Sequence, residues 1–176
     1  MKAKRVLLIL LVCALALLIL SPAATAKSHE RPFKGVLTGE ADFGPGPAFG
    51  LPDNPNPPFM YTVTFAGGEM SHMGKCDWFA HHPTPPGDVT AYGSSVLTAA
   101  NGDQIFVDYS SYGAYPVPGV PSTIHGTGEF SITGGTGRFH DASGSGEIDF
   151  DVEFSGDMMS PDPWPGVWYL TGTISY

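Results

Sequence analysis

The sequence predicts an all-β protein: an antiparallel up-and-down barrel of about eight strands, with little or no helix. Three observations predict it. Short alternating or β-rich runs recur from Phe33 to Tyr176. The chain holds 23 Gly and 17 Pro, spread so widely that no helix of any length fits between them. The connections between the runs alternate: long and proline-rich, then short and glycine-containing.

In chain order the expected strands are Phe33–Asp42, Phe59–Ala66, Glu69–Phe79, Asp88–Ala99, Asp103–Ser110, Ile124–Thr133, Gly137–Phe154 and Gly166–Tyr176. The long connections are Gly44–Pro58, Ala80–Gly87, Ser111–Thr123 and Ser155–Pro165. Between them lie three tight turns: Gly67-Gly68, Asn101-Gly102 and Gly134–Gly137. Asn-Gly is the strongest two-residue hairpin signal. In an up-and-down sheet, alternate connections lie at the same end, so the proline-rich loops should crowd one mouth and the glycine turns should close the other. An eight-stranded barrel is just wide enough inside for a small ligand.

Residues 1–26 read differently. Lys2, Lys4 and Arg5 precede an apolar run from Val6 to Leu20, and Ala24-Thr25-Ala26 has the form of a signal-peptidase site. The run is shorter than the roughly 20 residues of a spanning helix. A signal peptide cleaved after Ala26, a single barrel domain over 27–176, and a secreted or periplasmic location are therefore expected. From Lys27 on, five basic side chains face 17 acidic ones, a net of 5 − 17, or −12. That balance argues against nucleic acid or an anionic membrane as partner. Cys13 leaves with the signal, so Cys76 has no partner for an internal disulfide.

Candidate functional residues follow from period-two alternation. In E-M-S-H-M-G-K-C-D-W-F, Met70, His72, Gly74, Cys76 and Trp78 share one face, while Lys75 and Asp77 take the other, toward water. His72, Cys76 and Trp78 are thus expected in the lumen, with Tyr109, Trp164 and Trp168 as further ligand-binding candidates. His81 and His82 are adjacent, which on a strand sends them to opposite sides and in a proline-rich loop leaves both solvated. The spacing H-x3-C-x4-H-H matches no closed zinc pattern, and neither metal nor cofactor is expected. Glu147, Asp149, Asp151 and Glu153 alternate with Ile148, Phe150, Val152 and Phe154, an acidic face against an apolar one. Glu40, Glu69, Asp108 and Glu129 could each approach the lumen for paired-carboxylate chemistry. No G-x-S-x-G is present, and Gly134–Gly137 lacks the Lys-Ser/Thr and helix of a phosphate loop.

The stretch I-T-G-G-T-G-R-F-H-D-A-S-G-S-G, Ile132 to Gly146, resembles the G-G-T-G hairpin of the dirigent and allene oxide cyclase superfamily. It is also similar to a group of bacterial exported proteins in which a histidine-glycine strand (Ser71–Gly74), an A-N-G-D turn (Ala100–Asp103) and a closing G-T-I-S (Gly172–Ser175) recur in this order. The resemblance implies an eight-stranded barrel with an apolar or mixed lumen, often trimeric, and in the plant members a lumen that holds a hydrophobic guest and steers its cyclisation or coupling. No catalytic residue carries over. The functional expectation is an exported barrel that binds a small apolar molecule; the alternatives are an isomerase or cyclase using the same lumen, and a non-catalytic envelope or extracellular interaction protein. The resemblance also makes a homotrimer an expectation.

Overall fold

The computed structural model describes residues 29–52, 60–84, 90–113, 117, 119–157, 160 and 162–176. The expected signal peptide, 1–26, and part of each proline-rich connection (53–58, 85–87, 114–116, 118, 158, 159 and 161) lie outside this set. Eight strands form one closed sheet in which each pairs antiparallel with the next and the last closes on the first. They are β1 (Arg31–Gly44), β2 (Met60–Met70), β3 (Gly74–Thr84), β4 (Thr90–Ala99), β5 (Gln104–Gly113), β6 (Ser122–Gly135), β7 (Ser143–Phe154) and β8 (Trp164–Ser175). The only helical pieces among the described residues are two single 3-10 turns, Gly46–Phe49 and Gly137–Phe139. The all-β barrel expected from the sequence is the fold observed.

The topology puts the β1–β2, β3–β4, β5–β6 and β7–β8 connections at one end, here the mouth. The β2–β3, β4–β5 and β6–β7 turns lie at the other, the floor. Alternation decides what fills the barrel. Every second residue of each strand points inward, and away from the mouth the inward set is apolar: Phe33 and Leu37 of β1, Leu97 of β4, Ile105 of β5, Phe130 of β6 and Leu170 of β8 are each 2% exposed or less. Burying side chains of this size stabilises by roughly 1.5–3 kcal/mol each, so the lumen below the mouth is the core of the protein.

Two turns differ from expectation. Gly67 and Gly68 make no turn; both lie inside β2. The reversal comes at Ser71–Met73, where His72 takes a left-handed φ of 67°. The glycines serve packing instead. A Cβ on Gly68 would sit 2.0 Å from the Val36 carbonyl oxygen of β1, so only a residue without a side chain lets β1 approach. The seventh strand also begins later than expected. β6 runs through Gly135, and the chain then turns at Gly137–Phe139 before β7 starts at Ser143. Phe139 is the reason: this turn tucks its ring, fully buried, against Tyr176 at 5.0 Å and shuts the floor.

Arg138, next to it, ties the three floor turns together. Its guanidinium donates to the His72 carbonyl of the β2–β3 turn and lies 3.7 Å from the Asp103 carboxylate beside the β4–β5 turn. Half-exposed, the ion pair itself contributes at most about 1 kcal/mol.

Candidate functional site

From floor to mouth the lumen changes character. Above the Phe139–Tyr176 contact, Phe33 and Phe130 meet edge-to-face at 5.9 Å. Next, Trp78 of β3 and Trp168 of β8 meet at 5.6 Å, also edge-to-face. β1 and β2 separate these strands in the sheet, so the two indoles span the lumen. Nearer the mouth, Trp164 stacks on Phe43 at 6.4 Å and meets Phe154 edge-on at 5.0 Å.

Polar side chains enter the lumen in this mouthward half, on β2 to β5. Along β3 the inward positions after Trp78 are Ala80, His82 and Thr84. Thr84 pairs through its hydroxyl with Thr62 of β2 at 2.7 Å. His82 Nδ1 lies 2.9 Å from the Tyr109 hydroxyl of β5. Gly93 of β4 makes that pairing possible: a Cβ there would come within 2.6 Å of the tyrosine Cζ and hydroxyl oxygen, so the phenol crosses β4 over a glycine. Ser95, two residues on, faces inward opposite Ala80 and is 4% exposed.

Burial sets the protonation states. Desolvation, with a smaller contribution from neighbouring His81, lowers the His82 pKa to about 4. Desolvation also raises the Tyr109 phenol above its ordinary value. At neutral pH the pair is therefore an uncharged imidazole and an uncharged phenol sharing one proton position. Cys76 is buried, and desolvation followed by the charge of Asp77 raises its thiol to about 11, so it is a packing residue rather than a nucleophile at neutral pH.

The structure places the sequence candidates unevenly. Cys76, Trp78 and Trp168 are buried in the lumen, Trp164 is buried near the mouth, and Tyr109 is inward and partly buried. His72 is not in the lumen. Because the reversal falls at Ser71–Met73, His72 sits on the floor turn with Nε2 on the Pro32 carbonyl at 2.9 Å and its ring against Tyr176. His82 is the functional candidate the sequence reading left open. The signal was present: β3 continues past Phe79, and carrying the Trp78 period two steps further turns His82 inward and His81 outward. His81 indeed lies on the outer face, near Tyr61 and Phe79. The carboxylates Glu40, Glu69, Asp108 and Glu129 all face solvent, so no carboxylate pair forms inside. The acidic face of β7 points outward as expected, with Asp151 paired to His125. Among the described residues no group of side chains is arranged to hold a metal ion.

The described residues form a closed eight-stranded antiparallel barrel with a packed floor and a polar patch under the mouth. No protein-family model matches the chain, and no curated protein matches it either. Among solved structures, the chain is similar to the pterocarpan synthase dirigent protein GePTS1, with a TM-score of 0.50 and 14% identity over 86% of this chain and 88% of that one. At that identity the likeness is one of fold.

Proposed function

We propose that the protein is an exported binding barrel that holds a small, largely apolar molecule in the mouthward half of its lumen. The observation that carries this is the division of the lumen: packed aromatic and aliphatic layers fill the floor, whereas neutral polar groups and indole faces converge beneath the mouth. Apolar walls with a few placed polar groups are the usual make-up of a small-molecule site. The similar solved barrel is named for pterocarpan synthesis, which is compatible with a lumen that receives an organic guest. Native mass spectrometry of protein purified from the cell that makes it tests the reading. A non-covalent adduct that dissociates on activation is expected, with a matching change in tryptophan emission when it is removed. A bare polypeptide mass, together with emission indifferent to added apolar probes, would end it.

One observation favours a second reading, an isomerase or cyclase: His82 and Tyr109 are a hydrogen-bonded, proton-sharing pair inside the barrel. Turnover lost in both His82→Gln and Tyr109→Phe while binding persists would select it. A homotrimer rests on a different feature. Phe65, Phe79, Val96 and Phe106 face outward and lie directly opposite one another across β2 to β5, with Phe65 53% exposed. Sedimentation of the wild type against Phe65→Lys decides whether that band joins copies of the chain.

A further inference from the structure

Two buried polar atoms have no hydrogen-bond partner among the described residues, the indole N–H of Trp78 and the hydroxyl of Ser95. Both side chains are 4% exposed. Both lie on the lumenal face of adjacent strands: Trp78 pairs with Leu97 and Ala80 pairs with Ser95, so they occupy diagonal positions within side-chain reach. Buried donors left unpaired are uncommon and unfavourable, and each calls for a reason. The Thr62–Thr84 and His82–Tyr109 contacts show that the other polar groups nearby find partners. An indole N–H donates and cannot accept. What completes the site must therefore bring an acceptor.

The charge of that partner follows from what the lumen lacks. The described Lys and Arg side chains, Arg31, Lys34, Lys75 and Arg138, are all exposed. No inward position of β2 to β5 carries a carboxylate. An anion or a cation would enter without a counter-charge, at heavy desolvation cost. The Trp78–Trp168 pair supplies apolar ring surface beside the two donors.

We infer that Trp78 Nε1 and Ser95 Oγ are paired donors for one carbonyl-type oxygen of a neutral, ring-bearing ligand. This rests on the binding-barrel reading and deepens it by naming the group recognised. One carbonyl oxygen has two lone pairs and can accept from both.

Acetophenone and ethylbenzene, nearly the same shape but with and without the oxygen, test it, and benzoate tests the charge. Binding to the full chain is followed by NMR of the tryptophan indole N–H signals, assigned with Trp164→Phe and Trp168→Phe. Acetophenone is expected to bind about tenfold more tightly than ethylbenzene and to move the Trp78 signal downfield, as one or two neutral hydrogen bonds would give. Benzoate is expected not to bind. Ser95→Ala, a small change that keeps the fold, is expected to weaken acetophenone severalfold and leave ethylbenzene unchanged. Equal affinity for acetophenone and ethylbenzene, or acetophenone binding that leaves the Trp78 signal in place, overturns the donor assignment while lumenal binding stands; the two donors then serve ordered water. Failure of both neutral probes to bind overturns the assignment and the binding reading together.

Discussion

His82 should make the barrel acid-sensitive in a way that can be isolated from the rest of the chain. In the folded protein its pKa is held at about 4, against 6.5 for the free side chain. Between those values the unfolded chain binds a proton at this position and the folded barrel does not. Stability is therefore whole above pH 6.5 and falls as pH drops through the window toward 4. The groups around His82 reinforce the direction: His81 beside it is of like charge when protonated, Tyr109 is neutral, and Asp77 and Asp108 lie on the outer face. Linkage over a gap of that size gives a loss of about 2 kcal/mol at pH 5 and about 3 kcal/mol at pH 4. The chain carries 17 carboxylates as well, so the measurement is a difference. Urea unfolding of the wild type and of His82→Gln, which cannot titrate, is compared at pH 7.5, 5 and 4. The wild type should lose about 2 and then about 3 kcal/mol more than the variant. Parallel curves for the two proteins, or an NMR titration placing the His82 imidazole near 6.5, would refute both the burial of this side chain and its place in the site.

Glycine positions give a paired test of the β2–β3 correction. Gly67→Ala is expected to fold normally, since its Cβ would meet Asp77 Oδ1 at an ordinary 3.4 Å, whereas Gly68→Ala, 2.0 Å from a β1 carbonyl, should lose roughly 1–3 kcal/mol by thermal or urea unfolding. Gly93→Ala should displace Tyr109 and break its contact with His82, and because its Cβ would also come 2.4 Å from the His81 backbone carbonyl oxygen it should lose roughly 1–3 kcal/mol, as Gly68→Ala does, by urea unfolding. Phe139→Ala should open the floor and cost about 3–5 kcal/mol, read as a lowered urea midpoint. Cys76 should resist iodoacetamide at pH 8 in the folded protein and react on unfolding, because its thiol is buried and raised to about 11.

Much of the barrel is legible in the sequence because period-two alternation is strong where one face is packed and the other wet. β7 is the clearest case: Ile148, Val152 and Phe154 are buried while Glu147, Asp149 and Glu153 are exposed, as their alternation dictates. The reading falters where glycine has two physical meanings. Gly67-Gly68 has the composition of a hairpin turn, but in a barrel a strand glycine can equally mark a neighbour's close approach, and only the β1 backbone shows which. That error moved the reversal and put His72 in the lumen. The same face still placed Cys76 and Trp78 inside the barrel, where both are buried, because their spacing to each other does not depend on where the strand begins. His82 was hidden by Pro83 and the prolines after it, which suggest a loop, although β3 runs on to Thr84. The crossing of Tyr109 over Gly93 to reach His82 joins three strands and has no local signature at all.

The two halves of the lumen divide stability from recognition. Phe33, Phe130, Phe139 and Ile174 are buried in the floor and make contacts that a guest at the mouth would not touch. A barrel anchored that way can tolerate unpartnered donors higher up, each costing about 1–3 kcal/mol, because the packing below them exceeds that cost. The Trp78–Trp168 contact is the boundary, and Trp78 belongs to both sides: its ring packs across the lumen while its Nε1 lacks a partner. Trp78 and Ser95 should then separate in mutation. Trp78→Phe removes a donor and disturbs the cross-lumen packing, so it should lower stability and acceptor binding together. Ser95→Ala removes an unpaired donor from the apo barrel, so it should leave stability equal or higher while weakening the acceptor-bearing guest. A residue whose loss stabilises the empty protein and weakens the filled one is placed for a ligand, and that opposite sign distinguishes a site from an accident of packing.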